Sequence, residues 1–182
     1  EKVIKVMSVE SNLFSTVRKK GFGAKIKKLL LNKMDAYQVT GTPQMDYINF
    51  FLKKTSKKKF IKLPNLIDEE VFRDAVSSLR KNQKQLRSSF GVNENTQMWV
   101  LPARLIPLKG IIPFLNLLKD VKNYQLFIIG DGELENEIVD LITKDNLPVT
   151  LTGYIQQDEI VNYYAAADMF ILPSLRDASP LS

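Results

Sequence analysis

The stretch Trp99–Gly110, WVLPARLIPLKG, decides how the chain is read. Trp99, Val100 and Leu101 close an apolar run with the length and composition of a buried strand. Pro102 brings no N–H to a ladder and is expected to stop the strand. Arg104 and Lys109 follow five residues apart, and Lys109-Gly110 leads into the apolar segment Ile111–Leu118. The order is therefore strand, basic loop, helix. In an open α/β sheet, ligands bind beyond the carboxyl ends of the strands. A helix N-terminus there offers free N–H groups and about half a positive charge. Two cations at such a place can seat a diphosphate. On spacing alone, the same pair also reads as two solvated surface cations.

Outward from this stretch, residues 96–173 alternate strand and helix. Strands are expected at 96–101, 125–130, 149–152 and 169–173, and helices at 111–119, 133–144 and 157–167. That alternation predicts a parallel sheet covered on both faces. Right-handed crossovers then bring every strand-to-helix loop to one edge. Upstream, Lys2–Ser8 alternates apolar and polar residues as a strand does. Gly21-Phe22-Gly23 precedes a basic amphipathic helix with Ile26, Leu29, Leu30 and Leu31 on one side and Lys25, Lys27, Lys28 and Lys33 largely on another. Such a helix packs on its own sheet or lies on a membrane surface. A short strand at 36–40, a helix from Thr42-Pro43 and a strand at 60–63 complete this half. Residues 69–95 are polar, with one helical pattern from Ala75 to Phe90.

The composition narrows the chemistry. Of the 182 residues, 45% are hydrophobic and 25% charged, as in ordinary globular proteins. No apolar run approaches the ~20 residues that span a bilayer. Cys and His are both absent, so a thiolate nucleophile, a disulfide and an imidazole base are excluded. Acid–base work falls to Asp, Glu, Lys or Tyr. Residues 1–63 hold 15 Lys+Arg against 4 Asp+Glu, a net of +11, and the rest of the chain carries −5. A half so basic suits an anionic partner, lipid or nucleic acid, although a Lys-rich composition alone would give the same excess.

Read together, ARLIPLKG, LFIIGDGELENEI, VTLTGYIQQDEI, YYAAADMFILPS and RDASP resemble the retaining, nucleotide-sugar-dependent glycosyltransferases of family 4, glycosyl transferases group 1 with the GT-B fold. The match runs through residues 96–182 in order and spacing. Residues 1–75 are similar to the end of that family's first domain. The resemblance implies two Rossmann-like α/β domains. Residues 1–75 would be the C-terminal part of the acceptor-side domain, 76–95 a connection, and 96–182 an incomplete donor domain. The chain opens on a strand and stops after a strand's loop, so it reads as a segment of a longer enzyme.

The resemblance also implies roles. Arg104 and Lys109 would hold the donor diphosphate; the family's glycine before that arginine is Ala103 here. Gly153, Tyr154 and Ile155 stand where the family holds the base. From the residues alone, Gly153 is equally a loop glycine beside a core tyrosine. Asp131 and Glu133 are catalytic by type, but the family's Gly-Asp-Gly turn only starts a helix. Asp177 occupies the position of the first of two family Glu residues, the one that touches the donor sugar, and is one methylene shorter. The second would fall beyond Ser182. Ala178, Ser179, Pro180 and Leu181 occupy the loop that contacts sugar and phosphate. Many members carry a first-domain His facing the sugar, and Glu10 is the candidate stand-in.

The expected activity is transfer of a hexosyl group from a nucleotide sugar to a lipid-linked or polysaccharide acceptor with retention, in cell-surface polysaccharide biosynthesis. No metal, resident cofactor or nucleic acid is expected. The expected setting is cytoplasmic, at the inner membrane face, with anionic lipid as the candidate peripheral partner. The competing readings are a non-catalytic nucleotide- or anion-binding α/β module, and another GT-B enzyme such as a sugar-nucleotide epimerase.

Overall fold

A computed structural model describes residues 3–13, 16, 19–52, 58–63 and 69–175. The chain divides into two compact units between Ile67 and Asp68, and each is taken by itself.

The first unit alternates β1 (Val6–Val9), α1 (Phe22–Asn32), β2 (Ala36–Val39), α2 (Thr42–Leu52) and β3 (Lys59–Lys62). The strands are parallel in the order β1-β2-β3, in register Val6↔Ala36 and Ala36↔Lys59. The core forms where Val9, Tyr37 and Val39 of the sheet meet Leu31, Tyr47, Ile48 and Phe51 of the helices. The Tyr37 hydroxyl lies within that core and donates to Leu31 O. One expectation fails here. Leu31 is buried, but Ile26, Leu29 and Leu30 are exposed. At 100° per residue Leu31 lies on the far side of α1 from Phe22, and the other leucines fall on the Phe22 side.

The second unit comprises α3 (Glu69–Arg80), α4 (Gln83–Ser89), β4 (Gln97–Pro102), a 3₁₀ turn (Pro107–Lys109), α5 (Ile111–Leu117), β5 (Tyr124–Ile129), α6 (Glu135–Asp145), β6 (Val149–Gly153), α7 (Gln157–Ala166) and β7 (Met169–Phe170). Its four strands are parallel, in the order β6-β5-β4-β7. The period of two seen in the sequence sorts the two cores. Leu101, Leu126 and Ile128 face α5 and α6 with Ile111, Leu115 and Ile138. Met98, Val100 and Phe127 face the other way, onto Val92, Ala166 and Ala167.

Two expectations are corrected by tertiary detail. Pro102 belongs to β4, paired with Ile129. Ala103 N–H bonds to Ile129 on the β5 side, whereas Met98 and Val100 carbonyls bond to the β7 side. Backbone groups alternate sides along a parallel strand, so Pro102 turns its missing N–H towards β7. Ile171 N–H still donates to Val100 O, and the β4–β7 ladder ends there, where residue 102 would be the next donor. The single helix read from Ala75 to Phe90 is two helices, broken at Lys81-Asn82. All of α3 lies in the second unit, where Phe72 meets Tyr164 at 5.4 Å between ring centroids.

A polar knot ties this unit together. Asp168 accepts from Met98 N at 2.7 Å and from Arg87 Nη1 at 2.9 Å, and Arg87 also donates to Thr96 O. One carboxylate thus joins α4, β4 and the entry to β7. Asp168→Ala leaves the Met98 N–H and the Nη1 end of the Arg87 guanidinium without that partner, while Arg87 keeps Thr96 O. We expect a loss of about 2–3 kcal/mol in urea unfolding, with donor binding unchanged.

Tyr164 sits between Phe72 and Phe170, its hydroxyl buried without a partner among the described residues. Burial disfavours the phenolate and pushes its pKa from 10.0 up to about 12. Between those values the unfolded chain binds fewer protons than the folded one, so stability is full below pH 10 and falls as pH rises towards 12. Alkaline unfolding followed by circular dichroism will be less steep in that window for Tyr164→Phe.

Candidate functional site

The site is built at the carboxyl edge of the second unit's sheet. The chain steps from β4 to β5 to β6 in one direction and then returns to place β7 on the other side of β4. The reversal between β4 and β7 is the topological switch point, where open α/β sheets leave a crevice for ligands.

The basic loop is fixed there through its backbone. Ala103 N–H donates to Ile129 O (2.9 Å) and Leu105 N–H to Asp131 O (2.7 Å); Leu105 O accepts from Leu134 N–H (3.0 Å). Leu105 is fully buried, so Arg104, held between two anchored neighbours, turns outward and is exposed. Ile106 N–H closes a tight turn onto Arg104 O at 2.9 Å. Lys109 ends the 3₁₀ turn, partly buried, and Gly110 follows in the left-handed region at φ 67°. Helix α5 has only seven residues, shorter than expected, so the cations carry more of the site's positive charge than the helix end does.

Three glycines let the neighbouring loops close around this one. A Cβ on Gly130 would lie 2.2 Å from Ala103 O, and one on Gly132 would lie 2.6 Å from Leu105 O. A Cβ on Gly110 would lie 2.3 Å from Pro173 O, where Leu175 N–H also donates to Leu108 O at 3.0 Å. All three have φ between 67° and 151°. The Gly-Asp-Gly turn was visible in the sequence, but its work is to hold the basic loop. Its partners come from a segment some 27 residues away and carry no local signal. Ser174, between Pro173 and Leu175, keeps its Oγ buried without a partner among the described residues.

Gly153 ends β6 with φ 73°, and its carbonyl accepts from Gly130 N–H at 2.8 Å. Among the described residues other than its chain neighbours, no atom lies within 4 Å of where its Cβ would be. Tyr154 is 68% exposed and Ile155 partly buried. The structure thus brings Arg104, Lys109, Gly153 and Tyr154 to one edge. β4 and β6 are two strand spacings apart, about 10 Å. Asp177, Ala178, Ser179, Pro180 and Leu181 lie outside the described residues. Glu10 belongs to the first unit, just past β1; its side chain is exposed and its carbonyl accepts from the buried Gln44 amide at 3.4 Å. Among the described residues no group of three or more Asp or Glu could hold a metal ion.

Comparison with known proteins gives the chain's family and relatives. The family described as glycosyl transferases group 1 matches residues 82–182. The chain is 31% identical over 127 residues to the Escherichia coli UDP-Gal:alpha-D-GlcNAc-diphosphoundecaprenol alpha-1,3-galactosyltransferase, covering 66% of this chain and 32% of that one. It is 30% identical over 111 residues to the alpha-monoglucosyldiacylglycerol synthase of Streptococcus pneumoniae, covering 57% and 25%. Among solved structures it is similar to Anabaena HepE in complex with UDP, with a TM-score of 0.73 at 18% identity, covering 97% of this chain and 48% of that one. The chain spans a quarter to a third of the length of these curated relatives. The fold is the α/β, Rossmann-like parallel-sheet fold of GT-B glycosyltransferases.

Proposed function

This chain belongs to the glycosyl transferases group 1, and on that footing we propose that it serves retaining hexosyl transfer of the family 4 kind. A nucleoside-diphosphate sugar is the donor, and a lipid-linked or polysaccharide saccharide is the acceptor, in cell-surface polysaccharide assembly. The observation that carries the reading is the backbone-locked loop that presents Arg104 and Lys109 at the switch point. As the bond from the anomeric carbon to the diphosphate oxygen lengthens, negative charge grows on the phosphates. Preorganised cations stabilise that charge more in the transition state than in the ground state. Arg104 offers a planar fork and Lys109 a mobile point charge.

The remaining roles follow the same frame. The nucleoside spans from the basic loop to Gly153, Tyr154 and Ile155, where the space that the described residues leave at Gly153 suits a base held by backbone groups. Asp177 meets the donor sugar. The N–H groups of Ala178, Ser179 and Leu181 meet sugar and phosphate, while Pro180, with none, shapes the loop. The first unit serves the acceptor and contributes Glu10. The setting is the cytoplasmic face of a membrane, with anionic lipid in peripheral contact. Relatives named for a diphosphoundecaprenol-linked acceptor and for a glucosyldiacylglycerol product support the lipid-linked choice.

The test is transfer from UDP-galactose, UDP-glucose or GDP-mannose to a lipid-linked saccharide by the enzyme at the length of its relatives, with the product's anomeric configuration read by NMR. An axial donor giving an axial product supports the reading; inversion refutes it. Nucleotide binding without any transfer would favour the non-catalytic module. In the same assay Glu10→Gln is expected to lower turnover about a hundredfold if Glu10 works as acid or base. Unchanged turnover removes it from the mechanism.

A further inference from the structure

Helix α1 carries its large apolar side chains away from the core of its own unit. Leu31 is buried, and Ala24 and Lys27 are partly buried. Phe22 (79% exposed), Ile26 (43%), Leu29 (57%) and Leu30 (49%) fall within one sector about 100° wide on the opposite face. Lysines surround it: Lys19, Lys20, Lys25, Lys28 and Lys33 are all exposed, and no acidic residue lies between Lys19 and Met34. Two further lysines fasten the helix instead. Lys27 Nζ sits 5.7 Å from the Phe51 ring centroid and 5.9 Å from that of Tyr47. Lys58 Nζ donates to Asn32 O at 3.0 Å and to Met34 O, capping the helix's C-terminal end.

We propose that the outer face of α1 docks on an anionic phospholipid surface. The stripe of Phe22, Ile26, Leu29 and Leu30 enters the headgroup–acyl boundary, and Lys25, Lys28 and their neighbours meet the lipid phosphates. An apolar face rimmed by lysines and free of carboxylates suits a boundary between hydrocarbon and negative charge. Apolar burial and ionic attraction add there, and the lysine stems reach out from the apolar zone to the headgroups. A protein partner would have to bury or pair the same lysines. This inference rests on the reading of the enzyme as one working on membrane-linked acceptors, and it names the surface that makes the contact.

The test is co-sedimentation of the 182-residue chain with vesicles of phosphatidylcholine alone or with roughly one-third phosphatidylglycerol. Binding is expected only to the anionic vesicles, weakening as salt rises. Lys25→Glu/Lys28→Glu should lower the partition coefficient at least about tenfold. Phe22→Ser/Leu29→Ser should also lower it about tenfold with every charge kept, as insertion requires and surface attraction does not. All six side chains named in this test or in the stripe are exposed, so circular dichroism should show the variants folded. Equal sedimentation with neutral vesicles overturns the proposal, as does none with anionic ones. Self-association that Phe22→Ser/Leu29→Ser abolishes also overturns it, by giving the stripe to a second copy. The enzyme at the length of its relatives must bind in the same way; loss of binding there means other parts of the polypeptide cover α1, and overturns it too. UDP and GDP titrations on the same samples keep the two readings apart: nucleotide binding without vesicle binding removes this inference alone.

Discussion

Replacing Arg104 and Lys109 together by alanine will lower kcat with the nucleotide-sugar donor by about three orders of magnitude. Removing one preorganised group aimed at developing charge typically costs about 10²–10³ in kcat. Two such groups on one diphosphate act as a unit, so the double loss falls short of the product of the single ones. Arg104→Lys should recover part of the rate, because charge remains while the planar fork is lost. The fold should not suffer. The loop is held by Ala103 and Leu105 through their backbones and by the buried Leu105 side chain, and none of these changes. A steady-state comparison of the double alanine variant and Arg104→Lys with the parent, with circular dichroism on each, reads both effects.

Gly132→Ala will destabilise the second unit by about 3 kcal/mol and remove donor binding, whereas Gly153→Ala will cost about 1 kcal/mol. Both positions have positive φ, 151° and 73°, so both carry backbone strain when substituted. They differ in what a Cβ meets. At Gly132 it meets Leu105 backbone atoms at 2.6 to 2.9 Å, and backbone cannot move aside as a flexible side chain can. The loop that presents Arg104 must shift instead. Among the described residues nothing beyond its chain neighbours lies within 4 Å at Gly153. Gly130→Ala, with its Cβ 2.2 Å from Ala103 O, should behave like Gly132→Ala. Urea unfolding gives the stability difference; nucleotide titration of the folded fraction gives the functional one.

Much of this arrangement was legible in the sequence, because it rests on local periodicity. β4 and β5 are continuous apolar runs with alternate faces, and the Gly and Pro residues between elements mark the loops. The site's cations could be named for the same reason: a strand, two basic residues and a helix within twenty positions define a sheet edge. What escaped depends on partners distant in sequence. Lys81 and Asn82 are compatible with a helix, so nothing local announces the break between α3 and α4. Pro102 stays in β4 through the pairing with β5 on its other side. The close approach of Gly130 and Gly132 to the basic loop depends on two strands lying side by side. The outward turn of α1 was hidden for another reason. Ile26, Leu29, Leu30 and Leu31 read as one apolar side when taken as a cluster, but Leu29 and Leu31 stand about 200° apart on the helix, and burial shows that Leu31 is the one of the four that points in. Asp177 and the four residues after it lie outside the described residues, so their roles rest on resemblance.

The central claim is that the loop between β4 and α5 seats a nucleoside diphosphate at the switch point. Calorimetric titration of the 182-residue chain with UDP and with GDP, beside Arg104→Ala/Lys109→Ala, tests it most directly. The account predicts saturable binding of one of the two nucleotides and its loss in the double variant, with folding unchanged. Binding of equal strength in the double variant, or none by the folded parent chain, would contradict it.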